Sequence, residues 1–344
     1  MTYLKESSKY YLLSIFLVIN FYSCKEELPV ITPNIITEKT PHDTDDPAIW
    51  INESNPSNSI IFGTDKDEIN GGVYAFDLEG NIIEEKSITG ISYPNNVDVS
   101  YNFMINDSTF TDVLAFTERE KNQIRLFAVP SMISLDNGGF EVFQDESETR
   151  LKRPMGIAFY YNNESEKMYL IISRKEGPKE NYLYQYELYT NNSIINLKLV
   201  RKFGEFSGKK EIEAIAVDQE LGYIYYSDED FCIRKYYADP NKGNDELACF
   251  GAERFKRDIE GIALVKNEAN SGYIVVSNQQ AHSFVVFDRQ TNAFIKEINL
   301  GSIETDGCEV TTRDLGNKFP EGVFISMTDS KEFLFHDLRA LELN

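Results

Sequence analysis

The residues with the clearest capacity for chemistry in this sequence are carboxylates and cations that recur at matched places. A short apolar strand appears six times, beginning at Pro47, Val97, Gly156, Ala214, Gly261 and Cys308. Just ahead of these strands stand Asp46, Asn96, Met155, Glu213, Glu260 and Asp306. A second strand follows each time, and two residues beyond the Ser, Thr or Met near its end come Lys66, Arg119, Lys175, Glu229, Gln279 and Asp329. The first three copies thus supply cations, and the last three supply carboxylates and an amide. Asp258, two residues before Glu260, deepens the acidic side. Hard carboxylate and amide oxygens without clustered His or Cys suit Ca²⁺ better than Zn²⁺. His42, His282 and His336 are too scattered along the chain for a zinc site. Lys66, Arg119 and Lys175 beside bound cations call for a polyanionic ligand, and phosphate is the obvious one. A lone charged loop residue is usually just solvated; charges segregated by repeat at equivalent positions are not explained that way.

The elements that must position these residues follow from the same repeat. A third strand recurs from Val73, Ile124, Leu183, Ile233, Phe284 and Phe333, at spacings of 49 to 59 residues. Six copies of strand, turn, strand, turn, strand at that period predict an all-β fold, a six-bladed β-propeller with one four-stranded sheet per blade. Outer fourth strands fit "NIIEEKSI", "GFEVFQD", "IINLKLVRKF", "ELACFG" and "AFIKEINL". The sixth copy ends too close to Asn344 for one, so "NIITEK" (residues 34–39) is expected to close the ring as the missing strand. In such a ring the loops before the first strands and after the second strands share one face, around the mouth of the central channel. Asp77, Asp218 and Asp288 sit at blade turns and read as turn-capping residues.

Composition bounds the partners. The 344 residues carry 56 acidic and 34 basic side chains, a formal charge of −22. That field excludes general binding to nucleic acid or to an anionic membrane surface and favours cations. Residues 1–23 read as a signal peptide, with Lys5 and Lys9 ahead of the apolar run "YYLLSIFLVINFYS". Ser23–Cys24 resembles the cleavage pair of a bacterial lipoprotein, which makes Cys24 the lipidated residue. The expected organisation is a signal peptide at 1–23, a linker at 24–32 and the propeller at 33–344. The expected location is the outer membrane, facing the periplasm or the medium, held only by the lipid. An oxidising compartment permits a Cys232–Cys249 bridge without fixing it, and Cys308 reads as a small buried residue.

The motifs around these positions resemble a known family, the β-propeller phytases, which are alkaline and calcium-dependent. "DTDDPAIW" matches the family's opening motif, and "NNVD", "DIEGIAL", "YIVVSNQ" and "TDG" follow in order across the mature chain. The resemblance implies a 3-phytase type of phosphoric monoester hydrolase, acting on phytate or other inositol phosphates through metal-activated attack of water. It implies that Asp46, Glu213, Glu229, Asp258, Glu260 and Gln279 hold several Ca²⁺ ions, with Asp306 at a more structural calcium. Lys66, Arg119 and Lys175 would grip substrate phosphates, and Glu213 or Glu260 would orient the water. Apart from the resemblance, a monomer is expected. Met155 departs from the pattern, standing where the family carries a tyrosine. Two other readings compete: a lactonase-like calcium hydrolase, which has little use for three cations together, and a non-catalytic binding propeller.

Overall fold

A computed structural model describes residues 28–106 and 108–343. Residues 1–23, read above as a signal peptide, and Cys24 lie outside them. Among the described residues, helix is confined to short 3₁₀ turns, and no helix is long and apolar enough to cross a membrane. The chain folds as six antiparallel sheets around a central channel. Blade 1 runs Thr44–Trp50, Ile60–Asp65, Gly71–Phe76 and Ile88–Ile91; blade 2 runs Pro94–Asn106, Thr109–Glu118, Gln123–Val129 and Phe140–Glu141. Blade 3 comprises Pro154–Asn162, Lys167–Arg174, Glu180–Asn191 and Ile194–Glu205; blade 4 comprises Ile215–Asp218, Tyr223–Asp228, Cys232–Tyr237 and Ala248–Phe250. Blade 5 is Ile259–Lys266, Gly272–Asn278, Ser283–Asp288 and Phe294–Ile298.

Blade 6 holds Cys308–Thr311, Val323–Thr328 and Glu332–Asp337, and its outer strand is Ile35–Ile36 from the other end of the chain. The ring therefore closes as the missing strand requires. Ile35 lies opposite Phe335, and Thr37 adds two bonds to Phe333: its N–H donates to the carbonyl at 3.1 Å and its hydroxyl accepts at 2.9 Å. Apolar residues of neighbouring blades interdigitate; Ile61, Phe76, Ile325 and Phe333, for instance, meet in one core between blades 1 and 6. The second and third strands are buried on both faces, and for that reason their apolar runs are nearly continuous.

The outer strands differ most from expectation. In blade 1 the segment "NIIEEKSI" makes only an isolated bridge at Ile82 and a 3₁₀ turn at Glu84–Lys86, and the outer strand forms later, at Ile88–Ile91. Asp77 holds the tight turn ahead of it, accepting from Glu79 and Asn81 N–H. Blade 2 departs from four strands: its outer edge is split between Ile133–Ser134 and Phe140–Glu141, both paired with Gln123–Val129, because the chain leaves the edge and returns between them. Asp218 caps its own turn, accepting from Leu221 N–H at 3.1 Å, and also reaches across to blade 5, where both its oxygens lie 2.6 Å from the fully buried guanidinium of Arg289. Cys232 and Cys249 form a disulfide between the third and outer strands of blade 4, and Cys308 is free and buried.

Candidate active site at the mouth of the channel

Four of the six first strands open with a break in register, between Thr44 and Pro47, Pro94 and Val97, Pro154 and Ile157, and Ile259 and Ile262. A bulge of this kind re-aims consecutive side chains. In blade 1 it splits the aspartate pair. Asp45 turns to the mouth, where it is fully buried with Oδ1 3.0 Å from Lys66 Nζ. Asp46 turns into the channel, accepting from Val97 N–H at 3.1 Å, with Asp98 and Glu309 as acidic neighbours. The close approach is possible because residue 307 is glycine: a Cβ there would lie 2.4 Å from Asp46 Oδ1. Gly156 serves similarly in blade 3, where a Cβ would fall 1.8 Å from the Glu213 carbonyl oxygen.

Lys66 is the hinge between the basic and acidic sides. Its Nζ lies 2.8 Å from Asp306 Oδ2 and 3.8 Å from Asp43 Oδ2, in addition to Asp45. Burial works to lower its pKa, but Asp45 and Asp306 outweigh that and hold it well above the ordinary lysine value. Burial raises Asp306 to about 7 even against the Lys66 charge. From Asp306 a polar chain runs on: Gln279 Nε2 donates to Asp306 Oδ1 at 2.5 Å, and Gln280 Nε2 reaches Gln279 Oε1 at 2.5 Å and Asp258 Oδ2 at 2.7 Å.

Beyond it lies an acidic basin. Glu211, Glu213 and Glu229 offer oxygens within 4.8 Å of one another, as do Glu229, Asp258 and Glu260, so Glu229 belongs to both groups. Desolvation, followed by repulsion from Glu211 and Glu213, pushes Glu229 up to about 9. Burial with like-charge neighbours drives Glu213 and Glu260 well above the carboxylate range. Glu229 Oε1 and Asp258 Oδ1 are buried without any hydrogen-bond partner, and an orphaned buried carboxylate oxygen is costly unless something positive reaches it. Either group, Glu211, Glu213 and Glu229 or Glu229, Asp258 and Glu260, offers a donor set that fits a hard divalent cation.

Of the sequence-predicted residues, Lys66, Gln279 and Asp306 meet in one hydrogen-bonded group, while Glu213, Glu229, Asp258 and Glu260 form the basin. Lys175 is half-exposed and pairs with Glu211. Arg119 lies with its guanidinium 3.3 Å from the centroid of the Tyr93 ring and Nη1 3.5 Å from Met155 Sδ. Asp46 stands apart, in the channel wall. Tyr93, Lys210, Glu211 and Gln280 were not foreseen, and Asp43 and Asp45, crowded beside Asp46 in the sequence, had been assigned no site role. Glu211 had a signal, because it alternates with Glu213 in "KKEIEA" and shares its side of the chain. Asp45 was hidden by the bulge, and Lys210 and Gln280 occupy loops without periodicity.

The chain is thus a six-bladed propeller whose channel mouth sets Lys66 and Lys175 beside a carboxylate basin that could hold a metal ion. The family model described as Phytase matches residues 18–333. The chain belongs to that β-propeller phytase family. It is 28% identical over 298 residues to the 3-phytase of Bacillus subtilis (strain 168), covering 82% of this chain and 73% of that protein. Among solved structures, the WD40 β-propeller domain of Doa1 superposes with a TM-score of 0.54 at 10% identity, over 88% of this chain and 95% of that one. At that identity the likeness speaks for the fold alone.

Proposed function

We propose that this protein is a calcium-dependent phytase that releases phosphate from phytate and related inositol phosphates. One observation carries the reading: a basin of five carboxylates with orphaned buried oxygens on Glu229 and Asp258 is flanked by Lys175, which pairs with Glu211, and by Lys66, whose charge acts on Glu213. When bound, divalent cations supply neutralisation of phosphoryl oxygens and activation of water. The chain's own residues do the rest. Lys175, half-exposed, and Arg119, stacked on Tyr93, bind phosphoryl oxygens and stabilise the charge that grows on them in the transition state. Lys66, held by Asp45 and Asp306, presents a fixed positive charge at the boundary of the two halves. Glu213 or Glu260 orients the attacking water through a carboxylate oxygen. No side chain is assigned as a covalent nucleophile. A carboxylate basin must be ionised to hold metal, so activity is expected at neutral to alkaline pH. The signal-like residues 1–23 and Cys24 support a lipid-anchored form in the outer membrane.

The test is phosphate release from phytate by residues 25–344, with Ca²⁺ titrated against EGTA. Release that requires Ca²⁺ and falls by about 10²-fold or more in Glu213→Ala and Lys175→Ala is the expected result. A folded chain that releases none at any Ca²⁺ level, or works best near about pH 4, where carboxylates begin to protonate, sinks the reading.

A further inference from the structure

Lys210 lies on the loop from blade 3 into blade 4, and the proposed reaction gives it no role. Its Nζ is 2.5 Å from Asp258 Oδ2 and 3.4 Å from Glu229 Oε2. Glu229 is fully buried and the Asp258 side chain is 6% exposed, whereas Lys210 reaches in from the rim with its own side chain 34% exposed. The ammonium therefore occupies the point where the two carboxylate groups of the basin overlap. One unit charge serves this crowd poorly, since Glu229 Oε1 and Asp258 Oδ1 remain without partners. Its neighbour Lys209 is held elsewhere: its Nζ donates to the Asp230 carbonyl at 2.6 Å and lies 5.4 Å from the Phe231 ring centroid.

We propose that Lys210 is the resident counter-ion of the basin, and that an incoming divalent cation must displace it to solvent. The inference rests on reading the basin as a metal site. A lysine ammonium and a hard divalent ion seek the same carboxylate oxygens, and the ion, with twice the charge and room for six or more oxygens, also reaches the orphaned ones. Asp258 keeps a partner when the lysine leaves, because Gln280 Nε2 holds the same Oδ2 at 2.7 Å. Two consequences have opposite signs. The ammonium keeps the metal-free carboxylates from repelling one another, and it weakens metal binding by competing for the ligands. Removing it should lower the stability of the metal-free chain while tightening its grip on metal. A lysine with a merely structural role would weaken both.

The experiment uses residues 25–344, which include the whole closed ring, and Ca²⁺ alone as the probe. Calorimetric titration of wild type and Lys210→Met should show the variant binding about tenfold more tightly, the order expected for losing one competing charge-assisted bond. In wild type, acylation of Lys210 by an activated ester, read by mass spectrometry, should rise on adding Ca²⁺ while that of Lys209 stays level. This second measurement stands even if Lys210→Met does not fold. Equal or weaker binding by the folded variant, or Lys210 reactivity that does not rise, overturns the proposal. If both chains bind Ca²⁺ equally well, only the role of Lys210 falls. If neither binds, the metal reading falls with it.

Discussion

At the scale of single residues, the two lysines at the ends of the basic arc differ in what surrounds them. Lys66 is 15% exposed at its side chain and packed against the fully buried Asp45 and the 16%-exposed Asp306, so its loss strands two carboxylates. Removing one member of such a buried pair costs about 3 kcal/mol or more. Lys175, 39% exposed, meets only Glu211, and an exposed pair contributes about 0–1 kcal/mol. Lys66→Met and Lys175→Ala should each slow phosphate release by about 10²-fold, the scale of losing one charge-stabilising donor. Urea denaturation of the metal-free proteins separates them: Lys66→Met should be markedly destabilised and Lys175→Ala nearly unchanged. Equal stability would mean that Lys66 is not the structural hinge described above. Met155 gives Arg119 a thioether neighbour, and the stacked Tyr93 is the stronger contact of that guanidinium.

At the scale of elements, the bulges opening the first strands decide which side chains reach the mouth, and the disulfide decides how firmly blade 4 holds its edge. That blade has an inward strand of only Ile215–Asp218 and an outer strand of only Ala248–Phe250. Cys232 and Cys249 join that outer strand to the third across a sequence separation of 17. Closing a loop of this length is worth about 3 kcal/mol in the chain-entropy account. The double substitution Cys232→Ser with Cys249→Ser should lower stability by about that amount on denaturant unfolding. Glu229 follows the second strand of the same blade, so metal affinity should fall with it. An unchanged unfolding midpoint would show that the blade's edge needs no staple.

The whole molecule concentrates negative charge on its axis. A cavity of about 840 Å³ runs through the ring and is lined by Asp46, Asp98 and Glu309, with Lys266 among its walls. Asp98 ties blade 2 to blade 3, accepting from Phe159 N–H at 2.7 Å. Burial raises Asp98 to about 6 and Glu309 to about 8, against ordinary values of 3.8 and 4.5, with Lys266 pulling both the other way. A carboxylate whose folded pKa is raised favours the folded state while protonated. Its contribution is complete below the unfolded value and is lost as pH climbs through the folded one. The metal-free protein should therefore melt at progressively lower temperature from about pH 5 to about pH 8. Asp98→Asn should flatten the lower part of that decline and Glu309→Gln the upper part, read as melting temperature against pH in chelator. A wild-type melting temperature that rises over this range would contradict the account.

Much of this protein was legible along its sequence. Strand identity, the six-fold period, the closing strand and the segregation of basic from acidic repeats all rest on local alternation copied six times, and repetition makes a weak local signal strong. The separation of Lys66, Arg119 and Lys175 from Glu229 and Gln279 followed from their places relative to strand ends. Three things were settled only by the folded chain. A bulge inserts a residue without changing composition, so nothing local says whether Asp45 or Asp46 faces the mouth. The loop carrying Lys210 has no period, and its ammonium finds the basin only because blades 4 and 5 bring Glu229 and Asp258 together. The pairing of Cys232 with Cys249, rather than with Cys308, depends on strand register within one blade. Periodic elements announce themselves one strand at a time, whereas bulges, loops and cross-strand pairs acquire meaning only when distant segments meet.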